Sequence, residues 1–192
     1  MALRNIREDG DPILRKKARP VTDFNDRLFD LLDDMAETMY NAPGVGLAGP
    51  QVGVLRRVVV IDVGDGLIEL INPEITYEEG EQIGEEGCLS LPGFEEKIRR
   101  PSKVTVSALN EFGKPFTLEA DGLLARCIQH ENDHLDGIVY IDRGDPEFAA
   151  KVTAQMKKRL ERAQKKEAEK ARKAASIAAK IAAKQAAKES KK

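Results

Sequence analysis

The segment from residue 121 to residue 137 has the sequence DGLLARCIQHENDHLDG. Apolar and polar positions alternate in it with the period of an α-helix, linking Leu124, Cys127, Ile128, Glu131 and Leu135. Asp121 stands where a helix N-cap belongs, and Gly137 stands where a glycine commonly ends a helix. The segment therefore predicts a helix that opens with a capping carboxylate and closes at a glycine.

Within this helix, residues 130–134 form the pattern H-E-x-x-H. Four residues make about one helical turn, so His130 and His134 project from one face and can hold a metal between them. Glu131 lies about 100° around the helix from His130 and can reach a water on that metal. These are the only two histidines of the chain. We favour metal-assisted hydrolysis over the alternative of a surface helix that carries two histidines by chance.

A catalytic metal needs a third protein ligand and one open position. Cys127 is seven residues before His134, a rise of about 10 Å, which is too far for a shared metal and favours a packed core thiol. Cys88 lies in a distant, loop-like segment, EEGCLS at 85–90, which can close over the helix, and a thiolate is a strong ligand. A single cysteine is more often inert than a ligand, so the residues alone leave both interpretations open.

The third motif is the stretch GVGLAGPQVG at residues 44–53. Its glycines permit close approach of the backbone to a ligand. A nucleotide-binding loop is excluded, because the stretch lacks the G-x-x-x-x-G-K-[ST] pattern and does not follow a predicted strand. A loop that faces a peptide is the functional interpretation, and a tight irregular turn is the alternative.

Strand signals dominate the middle of the chain. Runs of β-branched or alternating residues occur at 57–63, 67–71, 104–108 and 116–120, separated by turns at 64–66 and 110–114. Residues 23–41 predict an amphipathic helix with Asp23 and Asn25 as candidate N-caps. We expect an α+β fold, in which antiparallel β-sheets surround a central metal-binding helix and a separate C-terminal helix follows.

The net charge of -2 conceals an asymmetry along the chain. Residues 1–146 contain 16 Lys and Arg against 28 Asp and Glu, whereas residues 147–192 contain 15 against 5, a net +10. The second part is rich in Ala, Lys, Glu and Gln and predicts a largely solvated helix. We therefore predict a catalytic domain at 1–146 and a basic helical extension at 147–192.

The sequence shows neither a signal peptide nor a membrane span. The first residues carry charge without an apolar core, and no stretch approaches the roughly 18 apolar residues that a spanning helix needs. Two cysteines, Cys88 and Cys127, are too few for a disulfide framework and indicate a reducing compartment. These features predict a soluble cytoplasmic protein with no membrane partner.

Together, the three motifs resemble the signatures of the peptide deformylase family. The family patterns G-φ-G-φ-A-A-x-Q, E-G-C-[LV]-S and Q-H-E-x-D-H are met by GVGLAGPQ at 44–51, EGCLS at 86–90 and QHENDH at 129–134, in the same order. The similarity extends from about residue 12 to residue 143. Gly49 departs from the usual alanine, which changes backbone freedom next to Gln51 but removes no functional group.

The resemblance implies a set of residue roles. Cys88, His130 and His134 would ligate one divalent metal, and Glu131 would act as general base and acid. The side-chain amide of Gln51 and the backbone N–H of Leu89 would stabilise the oxyanion. Gly46 would bind the substrate backbone by strand-like pairing.

The resemblance also implies the reaction and its partners. The expected activity is hydrolysis of the formyl group from the N-terminal formyl-methionine of nascent polypeptides, with release of formate. The expected cofactor is Fe²⁺, for which Zn²⁺, Ni²⁺ or Co²⁺ can substitute. Arg126 is a candidate for the rim of the peptide channel, with a solvated surface charge as the alternative. The basic C-terminal tail suggests contact with the ribosome surface, because ribosomal RNA is polyanionic.

Two other functions stay open at this point. A zinc endopeptidase would use the same H-E-x-x-H motif with a third His or a Glu as ligand, and the cysteine of EGCLS argues against it. A binding module for the ribosome or for nucleic acid would depend on the basic tail and would need no metal.

Overall fold

The computed structural model describes residues 2–189, and the side chains of residues 2–175. Three α-helices are described: α1 (Asp26–Asn41), α2 (Gly122–Leu135) and α3 (Pro146–Glu189). Seven strands are described: β1 (Gly46–Ala48), β2 (Val58–Ile61), β3 (Ile68–Glu79), β4 (Gln82–Gly87), β5 (Glu95–Arg100), β6 (Lys103–Leu109) and β7 (Pro115–Asp121). The α+β class with a C-terminal helix is confirmed.

The strands form two antiparallel sheets. The larger sheet has the order β1-β2-β3-β6-β7, and the smaller sheet pairs β4 with β5. The predicted hairpin at 57–71 is confirmed as the β2–β3 pair, and the strands at 104–108 and 116–120 as the β6–β7 pair. Strands β1, β4 and β5 were not predicted; β4 and β5 are rich in charged residues, and Gly84 and Gly87 interrupt the alternation in β4. Residues 85 to 87, expected in a loop, lie in β4.

Strand β2 shows why the large sheet is buried on both faces. Side chains alternate across a strand, so Val58 and Val60 join the apolar cluster of α1, whereas Val59 and Ile61 join the cluster that includes α2. All four are at most 1% exposed. The helices α1 and α2 therefore cover opposite faces of the sheet.

The ends of the two helices follow from local sequence. The side chain of Asn25 accepts hydrogen bonds from the N–H groups of Arg27 and Leu28 and caps α1, as predicted. Asp121 occupies the N-cap position of α2, but its side chain makes no capping hydrogen bond. Gly137 has φ +76°, and a Cβ there would lie 2.8 Å from the backbone of Arg15, so this position requires glycine.

The C-terminal region begins with a capped helix. Asp145 accepts hydrogen bonds from the N–H groups of Glu147 (2.6 Å) and Phe148 (3.2 Å), and Pro146 begins α3. The chain divides into two compact units, residues 1–153 and residues 154–192. Side chains at 161–175 are exposed. Among the described residues, none of the helices combines the length and apolarity needed to cross a bilayer.

Candidate active site

Three side chains from two distant segments meet at one point. The sulfur of Cys88 and ring nitrogens of His130 and His134 all lie within 4.8 Å of one another, and Cys88 Sγ is 3.2 Å from His134 Nε2. Among the described residues this is the only group of three or more His, Cys, Asp or Glu side chains with metal-binding proximity. A thiolate with two imidazoles is a donor set that suits zinc or iron, so the residues fit a divalent metal.

The two segments are positioned by different local structures. The histidines are one turn apart on α2, with His130 8% and His134 1% exposed. Cys88 follows β4 and begins a turn. The N–H of Leu91 closes this turn by donating a hydrogen bond to the carbonyl of Cys88 at 2.9 Å. Leu89 is the second residue of that turn, so its N–H takes no part in the hydrogen bond that closes the turn. Cys127 does not belong to the group; it is buried, and its thiol donates to the carbonyl of Val45 at 3.5 Å.

Glu131 is buried beside these groups. Burial is the main cause that raises its pKa to about 7. Its Oε2 has no hydrogen-bond partner in the described part of the chain. A Cβ on Gly46 would lie 2.5 Å from Glu131 Oε1 and 2.7 Å from Cys127 Sγ, so the missing side chain of Gly46 makes room for the carboxylate. The sequence did not reveal this contact, because it joins residues 85 positions apart.

Gln51 has a fixed orientation. Its Oε1 accepts a hydrogen bond from the N–H of Ala48 at 2.8 Å, which directs Nε2 toward Ser90 Oγ (3.3 Å) and Cys88 Sγ (3.5 Å). Gln51 is 1% exposed and Ser90 is completely buried. The amide therefore presents its N–H donors next to Cys88 and Ser90.

The electrostatic environments of two other site residues differ. Burial lowers the pKa of His134 well below its usual value, which keeps a lone pair on the ring at neutral pH. Burial opposes ionisation of Glu86, but hydrogen bonds from Arg100 and His130 outweigh it and hold the pKa of Glu86 well below its usual range. Sequence reasoning missed Glu86 and Arg100. The sequence feature that could have identified Glu86 is its place in EGCLS, whereas no sequence feature pointed to Arg100.

A cavity of about 410 Å³ opens onto these groups. Its walls include Cys88, His130 and Glu131, together with the apolar side chains of Leu91 and Leu123. Arg126 also lines it, but it is only 6% exposed and donates to Glu86 Oε1 at 2.7 Å. The alternative of a solvated surface charge at Arg126 is therefore wrong. A larger cleft, of about 650 Å³, is lined by none of the predicted site residues.

Comparisons with known proteins agree on one family. The family model described as polypeptide deformylase matches residues 3–151. The peptide deformylase of Acetivibrio thermocellus is 62% identical over 143 residues, covering 74% of this chain and 84% of that protein. That of Thermoanaerobacter pseudethanolicus is 58% identical over 143 residues, covering 74% and 90%.

Solved structures give the same result. A peptide deformylase from Legionella pneumophila superposes with a TM-score of 0.78 at 44% identity, covering 85% of this chain and 98% of that one. The peptide deformylase from Thermotoga maritima has a TM-score of 0.75 at 45% identity, covering 76% and 100%.

Proposed function

This chain belongs to the polypeptide deformylase family, and from that premise we propose that Cys88, His130 and His134 hold the divalent metal that members of the family bind. The protein is thus an enzyme of a family whose known function is the deformylation of nascent polypeptides. The observation that carries the ligand proposal is the proximity of the three donor atoms, within 4.8 Å of one another. The helix α2 would then be the central metal-binding helix of the fold.

The proposed metal is Fe²⁺, with Zn²⁺, Ni²⁺ or Co²⁺ as substitutes. A thiolate and two imidazoles with an open position suit either iron or zinc, so availability decides the occupant. When bound, such an ion lowers the pKa of a coordinated water and polarises a carbonyl oxygen.

Glu131 is the proposed general base and acid. Its Oε2 is buried, has no partner among the described residues, and belongs to a side chain that lines the cavity. It would accept the proton of the attacking water as the C–O bond to the formyl carbon forms. It would return that proton to the amine nitrogen as the C–N bond breaks, which leaves formate and a free N-terminal methionine.

Two donors are proposed for the oxyanion of the tetrahedral intermediate. The Nε2 group of Gln51 is aimed toward Cys88 by the bond between its Oε1 and Ala48. The backbone N–H of Leu89 lies in the turn that starts at Cys88. Each donor can stabilise the transition state by about 2.7–4 kcal/mol.

The proposed substrate is the N-terminal formyl-methionine of a nascent polypeptide. Gly46 lies in β1, at the edge of the five-stranded sheet, where an extended peptide can add as a further strand. Leu91 and Leu123 provide apolar surface in the cavity for the methionine side chain. We place this reaction in the cytoplasm, where nascent chains leave the ribosome.

The experiment that tests the proposal combines metal analysis with a substrate assay. Protein purified without oxygen should contain about one divalent ion per chain, and it should release formate from formyl-Met-Ala-Ser. The internal peptide bonds of the product should stay intact. Cleavage of internal bonds without formate release would favour the zinc endopeptidase, and full activity in metal-free protein would exclude the metal-dependent mechanism.

The basic extension at 147–192 is proposed to contact ribosomal RNA. It has a net charge of +10, and its side chains at 161–175 are exposed. Phosphate contacts by Lys and Arg would raise the local concentration of the enzyme near its substrate. The catalytic residues all belong to the proposed domain at 1–146.

A further inference from the structure

The cavity that contains the proposed catalytic groups has two exposed carboxylates in its wall, those of Glu85 and Glu95. The only Lys or Arg side chain among the described residues of this wall is that of Arg126, which is buried and donates to Glu86. The same cavity receives the buried, unpartnered Oε2 of Glu131. A ligand that enters toward Glu131 therefore passes exposed negative charge that no cation of the wall neutralises.

Glu95 lies next to the proposed metal ligands. It begins β5 and is opposite Gly87, the last residue of β4, in the strand register. A Cβ on Gly87 would lie 3.5 Å from Glu95 Cγ and 3.9 Å from Glu95 Oε1, so the Glu95 side chain covers the position where Gly87 has no side chain. Gly87 directly precedes Cys88. The charge of Glu95 is thus placed in the wall beside the proposed reaction centre.

Glu95 has no structural partner, in contrast to its neighbour. Side chains alternate across a strand, so Glu95 and Glu96 point to opposite faces of β5. Glu96 Oε1 accepts a hydrogen bond from the N–H of Asp145 at 2.7 Å. Glu95 makes neither a hydrogen bond nor an ion pair with any described residue. Its carboxylate is therefore available to pair with a cationic group of a ligand.

Glu85 adds negative charge on the same face of the hairpin. It is two residues before Gly87 and diagonal to Glu95, a placement that separates Cα atoms by about 7–8 Å. The exposed side chain of Lys97 is directly opposite Glu85 in the register and is not part of the cavity wall. Because Lys97 is nearer to Glu85 than to Glu95 in this register, it offsets more of the charge of Glu85. We expect Glu95 to have the larger effect on a ligand.

The substrate side chains that can meet these charges are those that follow the methionine. An extended peptide rises about 3.3 Å per residue, so its second and third residues lie about 3 Å and 7 Å beyond the methionine. We propose that Glu95, with a smaller contribution from Glu85, makes this cavity select formyl-peptides that carry Lys or Arg at the second or third position. Peptides with Asp or Glu there are disfavoured, because like charges repel. This inference rests on the proposed function.

The expected selectivity is modest and depends on salt. One exposed ion pair changes an equilibrium by about 1.4–5-fold. Selectivity between competing substrates is the ratio of their kcat/KM values. Because the carboxylates are exposed, dissolved ions screen them, and the ratio should shrink as ionic strength rises.

The first test uses the unmodified, metal-loaded chain and two series of amidated peptides, formyl-Met-X-Ala and formyl-Met-Ala-X, with X as Glu, Gln or Lys. At an ionic strength of about 0.01 M, kcat/KM for formate release should rise in the order Glu, Gln, Lys in at least one series, by about 1.4–5-fold per step. The differences should narrow at about 1 M salt. Equal kcat/KM for the three peptides in both series would overturn the proposal.

The second test assigns the selectivity to a residue. In Glu95→Gln the ratio of kcat/KM for the Lys peptide to that for the Glu peptide should fall toward one, and in Glu95→Lys it should invert. Glu85→Gln should lower the ratio less. The matched control is Glu81→Gln, which removes the same charge from the same hairpin outside the cavity, where Glu81 pairs with Arg99. The control should keep the ratio of the unmodified chain.

The outcomes separate this inference from a structural role and from the proposed function. If Glu95→Gln lowers kcat/KM for all peptides by the same factor, or leaves every value unchanged, Glu95 does not determine specificity. If no peptide of either series yields formate, the proposed reaction fails, and the inference fails with it. If all peptides yield formate with equal kcat/KM, the reaction stands and only the inference is wrong.

Discussion

The helices α2 and α3 are formed for different physical reasons. In α2, 10 of 14 residues are buried. They include both histidines and three charged residues. In α3, the side chains at 161–175 are all exposed and consist of Ala, Lys, Arg, Glu and Gln. Tertiary packing stabilises α2, whereas intrinsic helix propensity supports the exposed part of α3. We therefore expect single changes around α2 to abolish chemistry, and large changes in the exposed part of α3 to leave it intact.

The largest effect is expected at the ligand that reaches α2 from outside. Cys88→Ala should lose both the metal and the activity, because no other described cysteine, histidine or carboxylate joins the group. Metal content by elemental analysis and formate release measure the two losses. Cys127→Ala is the control and should keep both, since Cys127 is outside the group. Stoichiometric metal in Cys88→Ala would refute the ligand set.

The next largest effect is expected at the buried carboxylate of α2. Glu131→Ala should still bind about one metal per chain, because Glu131 is not among the three grouped ligands. Its kcat should fall on the order of 10²–10⁴-fold, since the proton carrier is removed. Steady-state formate release on metal-loaded protein measures the change. Near-normal turnover would exclude Glu131 as the base.

A smaller effect is expected where α2 meets the edge strand. In Gly46→Ala, the new methyl group would lie 2.5 Å from Glu131 Oε1, so the carboxylate must shift. A displacement of about 1 Å can cost about 10²-fold in rate, and we expect a fall in kcat up to that size with metal content unchanged. If kcat equals that of the unmodified chain, the close approach of Gly46 and Glu131 has no catalytic role.

The smallest effect on chemistry is expected in α3. Deletion of residues 163–192 should leave formate release from a short formyl-peptide unchanged, but it should abolish salt-sensitive co-sedimentation with ribosomes. A matched variant replaces Lys165, Lys166, Arg172 and Lys173 with Gln, which keeps helix propensity while removing charge. It should weaken co-sedimentation with little change in helicity by circular dichroism. Equal co-sedimentation of the truncated and full chains at every salt concentration would show that the tail is not the docking element.

Local sequence determined the parts of the molecule that depend on near neighbours. The Asn25 cap, the one-turn spacing of His130 and His134, and the glycine at 137 each depend on residues within a few positions, so pattern alone identified them. The same holds for the helix that begins at Pro146. The motif spacing also sufficed to suggest the family that the comparisons confirm.

Only the tertiary structure decided which residues from distant segments meet. It brought Cys88 to the histidines, placed Glu131 against Gly46, and surrounded Glu86 with Arg100 and Arg126. In the sequence, Arg126 cannot be distinguished from a solvated arginine. The structure shows that it is buried where β4 lies over α2. Such contacts join residues tens of positions apart, and they depend on how the whole chain packs rather than on any local period.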